Sequence, residues 1–293
     1  MSGVELDGVT LRDQDATILD RISLRLESGR VHGVLGPSGA GKSSLLSLIA
    51  GFSPATCGTV RVGGRPLGVG GVIITEQVGL VRGHLVPDPA SRVEDTLAFT
   101  ASLRSHWCDQ VALRLLDRFR IPLGAPLSRL SQGELSAVGT VLGLAARTPV
   151  TLLDECCTGM DARMRDVFLD ELLADLMVYP RTVVIATQLI QEVGPLFDDV
   201  VVLDRGRVLL HERVGDLQSH GTCVTGAVEQ VDDLVRGLPQ LDERELGPAK
   251  SVVVYGPLSE ERLALARELG LDLSPIGLPE LMAHLVEDTH GPR

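Results

Sequence analysis

Gly36-Pro37-Ser38-Gly39-Ala40-Gly41-Lys42-Ser43, with Ser44 directly behind it, fits the pattern G-x-x-x-x-G-K-[ST] at every position. Its flanks give the pattern its meaning. Val31–Leu35 is a short apolar run that predicts a strand entering the loop. The residues after it place Leu45, Leu46, Leu48 and Ile49 on one side of a helix that Gly51 and Pro54 stop. Between a strand and a helix, such glycines let backbone N–H groups curl around phosphates while the helix dipole points at them. Lys42 is then expected to neutralise the β- and γ-phosphates of a nucleoside triphosphate, and the Ser43 hydroxyl to ligate Mg²⁺. A glycine turn with a chance lysine would need neither flank.

Working outward, Thr151-Leu152-Leu153-Asp154-Glu155 is an apolar strand ending in two acids. Beside a phosphate loop, Asp154 is expected to hold the Mg²⁺ and Glu155 to polarise the attacking water. Val150–Leu153 and Thr182–Ala186 are continuous aliphatic runs, as expected of strands buried on both faces of a parallel sheet. Arg163–Met177 between them reads as a helix. Val4–Leu11, Ile18–Leu26, Thr59–Val62 and Val72–Thr75 read as further strands. Val93–Arg104, Cys108–Arg118 and Glu134–Arg147 read as helices, and Val200–Leu203 with Val208–His211 as a hairpin around Arg205-Gly206. After about Gln218 a βαββαβ order follows, Thr222–Thr225 to Asp272–Ile276, with a closing helix at Pro279–Val286.

The 293 residues carry a net charge of −12 and only 3% aromatics, which argues against a nucleic-acid binder. No apolar run reaches the ~18 residues needed to cross a bilayer. Met1–Val9 carries Glu5 and Asp7 and lacks a signal-peptide pattern, so a cytoplasmic chain is expected. The five cysteines match no zinc spacing, and Cys156-Cys157 reads as a pair of small, partly buried thiols.

Leu130-Ser131-Gln132-Gly133-Glu134, opening a helix ahead of the acid-tipped strand, resembles the signature of ATP-binding cassette ATPases. Gln77 resembles that family's Q-loop glutamine, Thr158-Gly159-Met160-Asp161 its D-loop, and Leu203–Val208 its late hairpin. The resemblance covers roughly residues 4–217. It implies an α/β fold: a P-loop NTPase core with an antiparallel β-subdomain and a helical subdomain at about 85–147, together residues 1–217. Residues 218–293 are then a small α/β appendage. It also implies that two such domains sandwich two ATP molecules. Lys42, Ser43, Gln77, Asp154 and Glu155 would hold one face, with Gln77 joining Ser43 and Asp154 at the Mg²⁺. Ser131, Gln132 and Gly133 would reach across from the other subunit, with Asp161 at the same interface. The implied partners are a membrane permease and a second cassette, as homodimer or heterodimer, with membrane contact only through the permease on its cytoplasmic face. An exporter-like subunit is the leading expectation. A slow regulatory subunit of a heterodimer and a soluble non-transport protein are the alternatives.

Three departures from the family pattern stand out. Gln188 occupies the place of a histidine that contacts the γ-phosphate, and a neutral amide there predicts hydrolysis slowed by roughly one to three orders of magnitude. No aromatic precedes Phe52 to stack on the base, so Arg12 is left as a candidate platform and GTP as a candidate substrate. Gln132 stands where the signature has glycine, and Cys156-Cys157 where Pro-Thr is usual.

Overall fold

Runs in which every residue is buried form the middle of a six-stranded sheet: β3 (Val31–Leu35), β7 (Val150–Asp154), β8 (Thr182–Ala186) and β9 (Asp199–Asp204). Side chains confined on both faces must be apolar or paired, which is why these segments read as aliphatic blocks. The computed structural model describes residues 3–14, 16–67, 76–83, 90–277 and 279–281. The sheet order is β10-β9-β3-β8-β7-β6, with β6 at Val78–Arg82 and β10 at Arg207–Arg213. Strands β9, β3, β8, β7 and β6 run parallel. Val34 pairs with Ala186, Ala186 with Asp154, and Asp154 with Arg82, so four strands end level on one edge. The loops that leave this edge build the site.

A second, antiparallel sheet of order β2-β1-β4-β5 comprises β1 (Val4–Asp13), β2 (Ala16–Leu26), β4 (Cys57–Val62) and β5 (Arg65–Pro66). Helix α1 (Lys42–Ile49) lies in the core shared by both sheets. Its Leu45, Leu46, Leu48 and Ile49 are at most 1% exposed, among Val4, Leu19, Leu152 and Val184. Each such side chain contributes about 1.5–3 kcal/mol by burial, enough to hold the loop's end rigid although the helix is short. A helical layer follows: α2 (Val93–Ser102), α3 (Asp109–Phe119) and α4 (Gln132–Ala145), with α5 (Ala162–Val178) after β7 and a short α6 (Ile190–Val193) after β8.

The compact units are Met1–Leu189 with Pro195–His211, and Ile190–Gly194 with Glu212–Arg293. The division therefore falls at Glu212 rather than at 218, because α7 (Val214–His220) packs on the next strand and buries Leu217. In the second unit, β11 (Gly221–Ala227), α8 (Val228–Val235), β12 (Gln240–Leu246), β13 (Ala249–Tyr255), α9 (Glu260–Leu269) and β14 (Asp272–Pro275) follow the expected βαββαβ order. They form one antiparallel sheet, β12-β13-β11-β14, over a core of Val224, Val231, Leu234, Val252 and Val254. The expected strand Val72–Thr75 and most of the closing helix lie outside the described residues, 279–281 being helical.

Candidate active site

The glycine loop leaves β3 and returns as α1. Gly36 has φ 139°, and a Cβ there would stand 2.1 Å from the Leu203 carbonyl oxygen, so only glycine fits. Gly206, in the β9–β10 turn, donates its N–H to the Ala40 carbonyl at 3.0 Å and accepts from the Asp20 N–H at 2.8 Å, bracing the loop from behind. Gly41 takes the N-cap position of α1 and can offer no side-chain cap, and the first turn holds no acid. That helix start is therefore open to an external anion.

Lys42 is buried, and its Nζ donates to the carbonyls of Gly36 at 2.8 Å and Pro37 at 3.0 Å. Burial pulls its pKa below the ordinary lysine value, while the Glu155 and Asp154 carboxylates oppose that pull. The Ser43 hydroxyl donates to Asp154 Oδ1 at 2.9 Å, joining the loop to the tip of β7. Glu155 follows in a left-handed conformation, φ 50°, its N–H donating to the Ala186 carbonyl at 2.9 Å. Ser43, Asp154, Glu155 and Gln188 line one cleft of about 590 Å³, so residues distant in sequence meet there.

Arg82 and Arg165 line the same cleft and were not expected there. The Arg82 guanidinium donates to Ser47 Oγ at 3.0 Å and lies 5.6 Å from the Phe52 ring centroid. The four-residue apolar run Val78–Val81 before it was the available signal for β6. Gln77 precedes β6, and Val78 is in register with Val150, whereas the strand's other end, Arg82, is level with Asp154. Gln77 is thus at the far end of the strand from Ser43 and Asp154 and cannot join them at a metal. The residue that leaves β6 into the cleft is Gly83.

Ser131, Gln132, Gly133 and Asp161 do not line this cleft. Ser131 caps α4 in a reciprocal box: Ser131 Oγ accepts from the Glu134 N–H at 3.3 Å, and Glu134 Oε2 accepts from the Ser131 N–H at 2.8 Å. Asp161 caps α5, accepting from the Met164 N–H at 2.7 Å. Arg12 has an exposed side chain, and its N–H donates to Thr56 Oγ1 at 3.0 Å. Cys156 and Cys157 are buried free thiols with Sγ atoms 3.9 Å apart, and their mutual hydrogen bond together with burial pushes the Cys156 thiol up.

The family model for ABC transporters matches residues 19–158. A methionine import ATP-binding protein of Caulobacter vibrioides is 30% identical over 88% of this chain and 81% of its own length. The chain belongs to the ABC transporter ATP-binding family. A daunorubicin resistance ATP-binding protein of Streptomyces coeruleorubidus is 29% identical over 98% of this chain and 96% of its own. A Nod factor export ATP-binding protein of Sinorhizobium fredii is 27% identical over 72% and 62% respectively. Among solved structures, the ATP-binding subunit of an ABC transporter shares the fold with a TM-score of 0.68 at 20% identity, covering 73% of this chain and 91% of that one. A dimeric cassette in a post-hydrolysis state with ADP and Pi gives 0.64 at 21% identity, covering 72% and 98%. This ABC chain is accordingly an ATP-binding, ATP-hydrolysing subunit of a transporter.

Proposed function

We propose that the cleft between Ser43, Asp154 and Glu155 binds MgATP and hydrolyses it slowly, and that a second cassette completes the site. The 2.9 Å contact between Ser43 and Asp154 carries this reading. A hydroxyl and a carboxylate already together are the hard oxygen donors that Mg²⁺ takes beside substrate phosphates. When bound, the ion offsets charge that develops on the phosphate oxygens.

The chain's own residues do the rest. Lys42 exchanges its two carbonyl partners for phosphate oxygens, gaining a charged acceptor in place of neutral ones. The open N–H groups of the loop and α1 hold the β-phosphate. Glu155 orients the attacking water. Gln188 supplies a neutral amide, so the γ-phosphate lacks one cationic contact in the transition state. Ser131, Gly133 and Asp161, outside this cleft, would serve the nucleotide of a second cassette, as homodimer or heterodimer, while the Gln132 amide is engaged within its own chain at the Gly83 carbonyl.

No helix among the described residues is long and apolar enough to cross a membrane, which suits a subunit held at the cytoplasmic face by its permease. Efflux is the favoured direction. The alignment with the daunorubicin resistance protein includes nearly all of both chains, second unit included, and that with the methionine importer less of each.

Glu155→Gln tests the site. The variant is expected to keep MgATP binding, measured by equilibrium dialysis, and to lose all measurable turnover. Retained turnover would remove Glu155 from the chemistry.

A further inference from the structure

Gly83, at the point where β6 enters the cleft, is held by two side chains of α4, one from the signature segment and one a turn beyond it. Gln132 Nε2 donates to the Gly83 carbonyl at 2.8 Å. Ser136, one turn further along α4 and fully buried, lies 2.8 Å from the same carbonyl and 2.9 Å from that of Thr158. Its single hydroxyl proton is shared between the two. The Gly83 N–H donates to the Asp154 carbonyl at 2.8 Å. A Cβ on Gly83 would lie 2.0 Å from the Glu155 carbonyl oxygen, so the two peptides are in direct contact. On the other side, a Cβ on Gly133 would lie 2.4 Å from the Gly159 carbonyl oxygen. The start of α4, the end of β6 and the loop Glu155–Gly159 therefore touch through backbone, with no compressible side chain between the glycines.

We infer that Gln132 is a positioning residue: its amide pins Gly83 and, through it, the Glu155 peptide of the same chain. A signature with glycine at this position would have no side-chain donor to offer. Beside Gln132, Ser131 is exposed while Gly133 is buried against Gly159, so a shift of α4 on meeting a second cassette's nucleotide passes to this chain's own Glu155. That coupling of two sites rests on the paired-cassette reading above. The link to Gly83 does not.

The test uses the full chain with Gln132→Met, which keeps length and removes the donor, and Ser136→Ala as the second variant. In nucleotide-free protein, hydrogen exchange of the 155–160 amides is expected to rise about fivefold to tenfold in Gln132→Met, the scale of one net hydrogen bond. Turnover should fall by a similar factor while the KM for MgATP holds. Because both donors share one acceptor, the double variant should depart from the product of the single effects. Unchanged exchange in both single variants overturns the inference. So does a KM that rises with kcat unchanged, which would mean that Gln132 only grips nucleotide across the interface. If the wild type fails to bind MgATP, the functional reading falls, while the exchange measurement still decides the role of Gln132.

Discussion

Glu155 stands at the end of a fully buried strand with φ 50°, a conformation that costs a non-glycine residue of order 1–3 kcal/mol. The Glu155 N–H bond to the Ala186 carbonyl, at the tip of the neighbouring strand, keeps it there. Gln188 enters the same cleft two residues beyond that carbonyl, so its side chain and Glu155 are placed by one strand pair. Gln188→His should raise turnover roughly tenfold to a thousandfold with MgATP affinity unchanged, measured as steady-state phosphate release; unaltered turnover would show that the amide is no handicap. At this scale the sequence was informative wherever chemistry restricts residue type. Lys42, Ser43, Asp154 and Glu155 stand out in the sequence because a lysine and a hydroxyl after a glycine loop, and two acids after an apolar strand, are the residue types that a phosphate and a metal would take. Gln77 misled because a glutamine carries no signal of which strand end it occupies, and Gln132 because a side-chain amide can bond in cis or across an interface.

The elements were read well where burial is complete and poorly where it is partial. Val31–Leu35 and Thr182–Ala186 match their observed bounds. β6 gives a weak signal because, among the described residues, it is an edge strand of five residues containing Gly79, where a Cβ would meet Thr148. Two charged groups buried between elements give further tests. Arg181, on the approach to β8, is 2.8 Å from Asp175 of α5, and both side chains are at most 2% exposed. Arg181→Met should cost about 3 kcal/mol in urea denaturation, the low end for a broken buried pair because Arg147 still faces Asp175 at 3.4 Å. A loss under 1 kcal/mol would mean that water or Arg147 takes over the Asp175 carboxylate. Lys250 of β13 is held by Asp232 at 2.5 Å and Glu243 at 2.7 Å, and these hydrogen bonds raise its pKa well above 10.5. A raised ammonium stabilises the fold fully below pH 10.5 and less as pH climbs through the raised value. Lys250→Met should therefore destabilise the second unit at pH 8, with the gap to wild type narrowing only at strongly alkaline pH. A gap that closes below pH 9 would contradict this.

At the scale of the whole chain, the two units have separate hydrophobic cores, one around α1 and one under α8 and α9. The phosphate loop, Asp154, Glu155 and Gln188 all belong to the first. A ligand that binds only the folded form stabilises only the cooperative unit that contains its site. Differential scanning calorimetry should then resolve two transitions. MgATP at about 100 times its Kd adds about 2.7 kcal/mol to the first unit, a shift of roughly 5–10 °C for a unit of that size, and leaves the other in place. Glu155→Gln keeps nucleotide from being consumed during the scan and is the form to use. If one transition moves as a whole, the two cores unfold together, and the second unit is then part of the nucleotide-binding machine in the thermodynamic sense. If the transition assigned to the second unit moves alone, the site has been placed in the wrong unit and the reading of Gly36–Ser43 falls with it.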